Sequence, residues 1–188
     1  MKPGMPAYEA MRDVDTPLGP MRLAAHGGSL AGAWFTDQRD APLMAEGGAP
    51  LPARDEAILD EAARQLAAWF RSERKDFDLP LAPQGTPFQE SVWRALCELP
   101  FGATISYGEL ARRVGRPGSA RAVAQAVGRN PISIVIPCHR IVGHDTSLTG
   151  FGGGLPRKHA LLAHEGHVYR GGAARSRSVS PGQGRLGF

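Results

Sequence analysis

Cysteine is nearly missing from this chain: its 188 residues contain two, Cys97 and Cys138. Two thiols cannot build a disulfide framework or a cysteine-rich zinc site. Long apolar runs are missing too. No stretch approaches the roughly 20 apolar residues of a membrane span, and the N-terminus lacks the positive, apolar, small-residue order of a secretory leader. These absences point to a soluble, reduced, cytoplasmic protein without a membrane partner. Residues 1–83 hold no cysteine and a single histidine, His26, so a zinc site there is not expected. His159, His164 and His167 are spaced by five and three, which places His159 poorly for joining the other two, and no metal is expected there either. No internal repeat is present.

What the chain does have is enough apolar material for a core, 42% hydrophobic residues, in a length that suits one large domain or two small ones. Its charge is unevenly spread. Residues 1–83 carry 9 basic against 13 acidic residues, a net of −4, and residues 84–188 carry 13 against 5, a net of +8. A basic second half points to an anionic partner, with nucleic acid the natural candidate; a solvated basic face plus an arginine-containing tail is the alternative.

Met21 to His26 and Ser29 to Phe35 read as two strands around Gly27-Gly28, a dipeptide that supplies the positive φ angles of a tight hairpin. Gln38 to Ala53 is a surface loop. Ile58, Ala62, Leu66, Trp69 and Phe70 recur at helical spacing and predict an amphipathic helix over 55–72. Asp76 to Pro87 contains three prolines and reads as a strand followed by a linker, which sets a domain boundary near residue 83. Phe88, Val92, Trp93, Leu96 and Leu99 then mark a helix ended by Pro100 and Gly102, with Cys97 on its apolar side as a structural residue. Thr104 to Tyr107 is a short β-branched link. A short helix over 109–114, a Gly/Pro turn over 115–118 and a second helix over 120–127 capped by Ser119 have the shape of a helix-turn-helix. Asn130-Pro131 ends the second helix, and Ile132 to Ile136 reads as a buried strand. A glycine-rich loop at 150–154 and a helix over 155–165 follow. Residues 171–188 hold almost nothing apolar and are expected to be a disordered tail.

The apolar run delivers the chain into Pro137-Cys138-His139-Arg140. A thiol is inert until ionised, and cationic or proton-accepting neighbours favour the thiolate, so this setting suits a reactive cysteine. A buried cysteine acting as a small hydrophobe is the alternative that local context leaves open.

Pro137-Cys138-His139-Arg140 after an Ile/Val run resembles the active-site motif of the O6-alkylguanine-DNA alkyltransferases. Ser106 to Leu110, Ala120 to Val123, Arg129-Asn130-Pro131, Thr149 to Gly154 and Leu161 to Gly166 resemble further blocks of that family in the same order, together covering roughly residues 86–168. The resemblance implies direct reversal of DNA damage: an irreversible, single-turnover transfer of an alkyl group, such as methyl, from O6 of guanine to Cys138, with O4 of thymine left open. It implies no cofactor, no obligate protein partner, and double-stranded DNA containing alkylated guanine, approached through the minor groove, as the partner. Carried over by position, His139 acts through a water as the base for the thiol, and Glu165 orients His139. Tyr107 contacts the flipped base and its phosphate. Arg121 fills the vacated stack, with Ala120, Ala122 and Arg129 at the DNA surface. The carbonyls of Cys138 and Ile141, Phe151 and the amide of Gly152 form the base pocket, and Asn130 is a structural hinge.

The fold so implied is an α/β (α+β) protein: a small mixed, ribonuclease-H-like domain over 1–83, then a helical domain over 84–170 with a helix-turn-helix of winged-helix type. Two other readings remain. A non-catalytic damage-binding protein would lack the motif cysteine, which is present here. A plain helix-turn-helix regulator would bind specific sequence and ignore alkylated guanine.

Overall fold

The computed structural model describes residues 8, 10–44, 51–169 and 179–181. The hairpin lies where its glycines direct it. β2 (Met21–His26) and β3 (Ser29–Phe35) turn at Gly27 and Gly28, whose φ angles are +62° and +79°. A strand not expected from the sequence, β1 (Ala10–Val14), pairs antiparallel on the other side of β2. Helix α1 (Ala53–Phe70) lays Leu59, Ala62, Leu66 and Trp69 on this sheet.

A one-residue bulge in β3 positions the rest of the molecule. Ala24 pairs with Gly32 but Ala25 pairs with Leu30, so Ala31 is an extra residue. In a regular strand, residues three apart turn their backbone groups to opposite edges; the bulge restores the phase, and Leu30 and Ala33 share one edge. At Leu30 that edge takes residues 80–82 (Leu30 N to Pro80 O 2.8 Å, Ala82 N to Leu30 O 2.9 Å). At Ala33 it takes residues 131–133 (Ala33 N to Pro131 O 2.8 Å, Ser133 N to Ala33 O 2.8 Å). The segment leading into Cys138 is thereby moored to the N-terminal sheet.

Two expected strands do not form. Residues 76–87 make only the single bridge at Leu81. Residues 132–136 are buried as expected, but they fold back on themselves: Val135 N bonds Ser133 O (2.9 Å), Ile136 N bonds Ile132 O (2.9 Å), and Ile134 sits at φ +72°. A β-branched residue rarely adopts that conformation, at a cost of about 1–3 kcal/mol, which the burial of five consecutive residues offsets.

Helix α2 (Pro87–Cys97) opens with a reciprocal cap between Thr86 and Gln89. Cys97 is its last residue and is exposed, not on the apolar face. β4 (Ile105–Ser106) pairs in parallel with β5 (Ile141–Val142). α3 (Tyr107–Arg113) begins two residues earlier than its periodicity predicts, because Ser106 accepts from Glu109 N (3.1 Å) and caps it. α4 (Ala120–Gly128) packs against both α2 and α3. Ser119 precedes it at φ −94°, ψ 30° and makes no side-chain cap bond, since its backbone lies outside the extended region that a cap requires. A 3-10 turn (Cys138–Arg140) leads into β5, and α5 (Leu155–His164) follows the glycine loop. Of the expected tail, Val179–Pro181 forms a strand, β7, paired with β6 (His167–Tyr169), which departs from a wholly disordered segment; residues 171–178 and 182–188 lie outside the described residues.

One apolar cluster joins the halves: Leu23, Leu30 and Trp69 belong to it together with Trp93, Leu110, Ile132 and Leu161. Among the described residues, no helix is long and apolar enough to cross a membrane.

Trp34 folds its ring over Gly32 on the same face of β3, and a Cβ on Gly32 would lie 1.8 Å from that ring. Gly32→Ala is therefore expected to displace Trp34 and cost about 1–3 kcal/mol in denaturant unfolding; a loss near zero would show that the ring yields freely.

Candidate active site

Cys138 is presented by a run of tight turns. Pro137, at φ −81° and ψ 62°, centres a three-residue turn closed by Cys138 N to Ile136 O (2.8 Å). Asn130 braces that turn from beneath, its Nδ2 donating to Ile136 O (2.9 Å) and Ile132 O (3.4 Å) and its Oδ1 accepting from Ile132 N (3.0 Å). Because Asn130 ends α4 and Ile136 leads into Cys138, these bonds fix the cysteine relative to the helix-turn-helix.

The thiol is 6% exposed and opens on a cavity of about 170 Å³ lined also by Tyr107, Val127 and the Gly150–Gly152 loop. Burial pushes the Cys138 thiol up from its ordinary value, against the pull of the Asn130 side chain and of Lys158, so at neutral pH the sulfur is protonated. The neighbouring cation expected to ionise it is engaged elsewhere. Arg140 donates Nε and Nη2 to Glu165 (2.7 to 3.0 Å) and Nη1 to Leu99 O.

Glu165 follows α5 and is the meeting point of several donors. Its carboxylate accepts from Arg140, from Gly102 N (3.1 Å) and from His139 Nε2 (2.9 Å), with the side chains of His139 and Glu165 wholly buried. Burial raises the carboxyl, but His139 and Arg140 overcome it and hold Glu165 down at about 2. His139 is lowered by burial, in spite of Glu165, so the imidazole is neutral at pH 7. With Nε2–H assigned to the carboxylate, His139 Nδ1 is left as an acceptor; it is buried and has no hydrogen-bond partner in the protein. The pair can thus take up one proton.

Lys158 went unread in the sequence. It is fully buried, donating to Thr149 O (2.7 Å), Gly150 O (3.3 Å) and Ile141 O, and burial lowers it to about 8. A lysine among Leu161 and Leu162 at helical spacing was the available signal. Tyr107 donates to Thr149 O (3.2 Å), and burial raises its hydroxyl. Lys158 and Tyr107 together tie the start of the glycine loop down over the cavity.

The remaining predicted residues divide between the cavity and the surface. Phe151 and Gly152 line the cavity beside Cys138. Ile141 is buried and does not; its carbonyl already accepts from Lys158, and that of Cys138 from Ile141 N, leaving each oxygen one further lone pair. Arg121, Ala122, Gln125, Gly128 and Arg129 are exposed along one side of α4, with Ala120 half-buried at its start, while Val123, Ala126 and Val127 face the core. This side carries two arginines and no acid. Ala124, Val127 and Gly128 also border the Cys138 cavity, so one helix serves the surface and the pocket. A larger groove of about 650 Å³ between α2 and α4 contains no thiol. His164 bonds Trp69 O (2.9 Å) and His167 is buried near Glu165; no group of three His, Cys, Asp or Glu residues among the described residues is arranged to hold a metal.

A helix-turn-helix with a basic, acid-free face, built against a cavity that contains a single thiol, defines a class: a DNA-surface domain with a candidate cysteine acceptor. A family model for the DNA-binding domain of 6-O-methylguanine DNA methyltransferase matches residues 87–167. Methylated-DNA–protein-cysteine methyltransferases of Mycobacterium tuberculosis (44% identity over 82% of this chain and 90% of the relative) and Mycobacterium leprae (46%, 83% and 92%) are similar along most of the chain. The crystal structure of Mycobacterium tuberculosis OGT in complex with DNA superposes with a TM-score of 0.73 at 44% identity, over 82% of this chain and 91% of that one. The chain belongs to the methylated-DNA–protein-cysteine methyltransferase family.

Glu165→Gln leaves the buried Arg140 without its counter-charge and is expected to cost about 3–5 kcal/mol in urea unfolding. The lowered carboxyl also has a pH signature. Its stabilisation is present above the unfolded value of about 4.5 and is lost as pH falls toward 2, so the variant should lack that part of the wild-type acid transition. The thiol makes the opposite prediction: iodoacetamide should alkylate free Cys138 slowly at pH 7, with a rate still climbing above pH 9. A plateau below pH 8 would contradict the buried, protonated sulfur.

Proposed function

We propose that this chain is a methylated-DNA–protein-cysteine methyltransferase that repairs O6-alkylguanine by direct reversal, with Cys138 as the acceptor. The observation that carries the reading is the single buried thiol opening on a cavity bordered by the basic helix, with a neutral histidine and its carboxylate behind it. In the reaction the Cys138 Sγ–carbon bond forms as the carbon–O6 bond breaks. The thiol proton passes through water to His139 Nδ1 and is returned through water to the ring of the departing guanine, so guanine leaves intact and the histidine ends neutral. The sulfur stays alkylated, so each molecule acts once.

Because a stacked guanine cannot present O6 to a buried sulfur, the base must rotate out of the duplex, at a cost of a few kcal/mol. Arg121 inserts into the vacated stack. Ala120, Ala122 and Arg129 approach the backbone along the minor groove, where small side chains permit close contact. Tyr107 and Phe151 enclose the base, the Gly152 amide faces O6, and the second lone pairs of the Cys138 and Ile141 carbonyls take the guanine amino group. Asn130 is the hinge. We read residues 1–83 as a ribonuclease-H-like domain that buttresses the winged-helix-like domain over 84–170, and the cytoplasm as the site of action.

Incubation with a duplex containing one O6-methylguanine should add one methyl mass to the peptide containing Cys138 and stop at one equivalent. Cys138→Ala should bind the duplex and gain no mass, and Arg121→Ala should fold normally while transfer falls by an order of magnitude or more. Full transfer by the Cys138→Ala protein would refute the mechanism. Tight binding by the wild type without mass gain would favour a damage-binding role instead.

A further inference from the structure

The wall of the Cys138 cavity is held from outside by the N-terminal domain. Arg157, in the first turn of α5, makes four separate attachments. Its Nε donates to Leu18 O (2.8 Å), and Nη1 and Nη2 grip the two oxygens of Asp37 (2.8 and 3.0 Å). Nη1 also donates to Gly153 O (3.1 Å), and the guanidinium lies over the Phe35 ring at 4.2 Å. Leu18, Phe35 and Asp37 belong to the N-terminal sheet and its loops, whereas Gly153 adjoins the Gly150–Gly152 wall. The packing behind that wall is close: a Cβ on Gly153 would lie 2.7 Å from Phe35 and 2.8 Å from Phe151, and one on Gly152 would meet the end of the Gln38 side chain at 2.6 Å.

Asp37 is 66% exposed and Arg157 21%, so the ion pair itself adds little to stability, on the order of 0–1 kcal/mol. Its geometry is the informative part. A planar fork that simultaneously engages a carboxylate, two carbonyls and an aromatic face fixes the loop in one position, which a lysine could not do. We propose that Arg157 is a positioning residue: it clamps the 150–153 wall against Phe35 and Asp37 and so sets how large an alkyl group the Cys138 cavity holds in reacting geometry.

The inference rests on the alkyl-transfer reading above and concerns its specificity. A wall held at one distance suits a small group. If the wall is released, a methyl carbon loses its close approach to the sulfur while a bulky group gains room. Single-turnover transfer would be measured for full-length wild type, Arg157→Ala and Arg157→Lys on duplexes containing O6-methylguanine or O6-benzylguanine. Arg157→Ala is expected to slow methyl transfer about tenfold and raise the benzyl-to-methyl rate ratio by at least about threefold, with Arg157→Lys between it and wild type. Unchanged rates, or two rates falling by the same factor, would overturn the inference, since general destabilisation does not alter the ratio. Should Arg157→Ala fail to fold, Gln38→Ala removes the backing of Gly152 on the same wall and must move the ratio in the same direction. Wild type that transfers neither group would refute the alkyl-transfer reading itself, a result distinct from a wild type that works and variants that leave the ratio unmoved.

Discussion

A buried carboxylate organises the end of this molecule around Cys138. Glu165 has no exposed side-chain surface, and an ionised carboxylate in that position is tenable only with its acceptor sites filled. They are filled from two parts of the chain, the turn after α2 through Gly102 and the 3-10 turn through His139 and Arg140, while the end of α5 carries Glu165 itself. Arg140 extends the tie to Leu99 at the end of α2. The charge that polarises His139 therefore also joins the helices around the cysteine. Under the proposed mechanism, function and stability meet at this residue.

Around that anchor, burial decides the state of each titrating group. It holds Cys138 as a thiol and His139 as a neutral imidazole, the resting state from which the proposed proton transfer starts. A sulfur kept protonated and nearly out of solvent is protected from adventitious oxidation and alkylation, because the thiolate is the reactive form. The same low-polarity surroundings would strengthen any interaction with a base that enters and excludes water. Lys158 contributes differently. It is fully buried, and its donors go to three carbonyls, so it serves as a fastener of the glycine loop as well as a positive charge near the sulfur.

The N-terminal half contributes by mooring. The Ala31 bulge turns both Leu30 and Ala33 toward one edge, which receives residues 80–82 and the segment before Cys138. Ile134 accepts a left-handed backbone because that segment is pinned at Ala33 on one side and at Asn130 on the other, and strain of this kind persists only where the surroundings over-determine it. The cavity wall is gripped through Arg157 from the same half. A sheet that lines no part of the Cys138 cavity still sets the position of the segments that do.

Much of this was legible in sequence because it depends on neighbours along the chain. Gly27-Gly28 specifies its hairpin by φ alone, the apolar periodicity marks α1, α2 and α5, and Pro-Cys-His-Arg with its companion blocks marks the site. Thr86 to Gln89 and Ser106 to Glu109 carried a local signal of the same kind, since a cap is satisfied within four residues, although apolar periodicity by itself placed α3 two residues late. Other features had no local signature. The run over 132–136 reads as a strand by composition, and only its capture between β3 and Asn130 folds it into turns. Arg140 reads as a partner for the thiolate until Glu165, 25 residues away, claims it. Nothing beside Arg157 in the chain points to Asp37, 120 residues away. Residue type and spacing determined the chemistry this chain can perform; tertiary structure alone decided which charges neutralise one another and which wall stands beside the sulfur, because pairing and burial depend on distance in space, not along the chain.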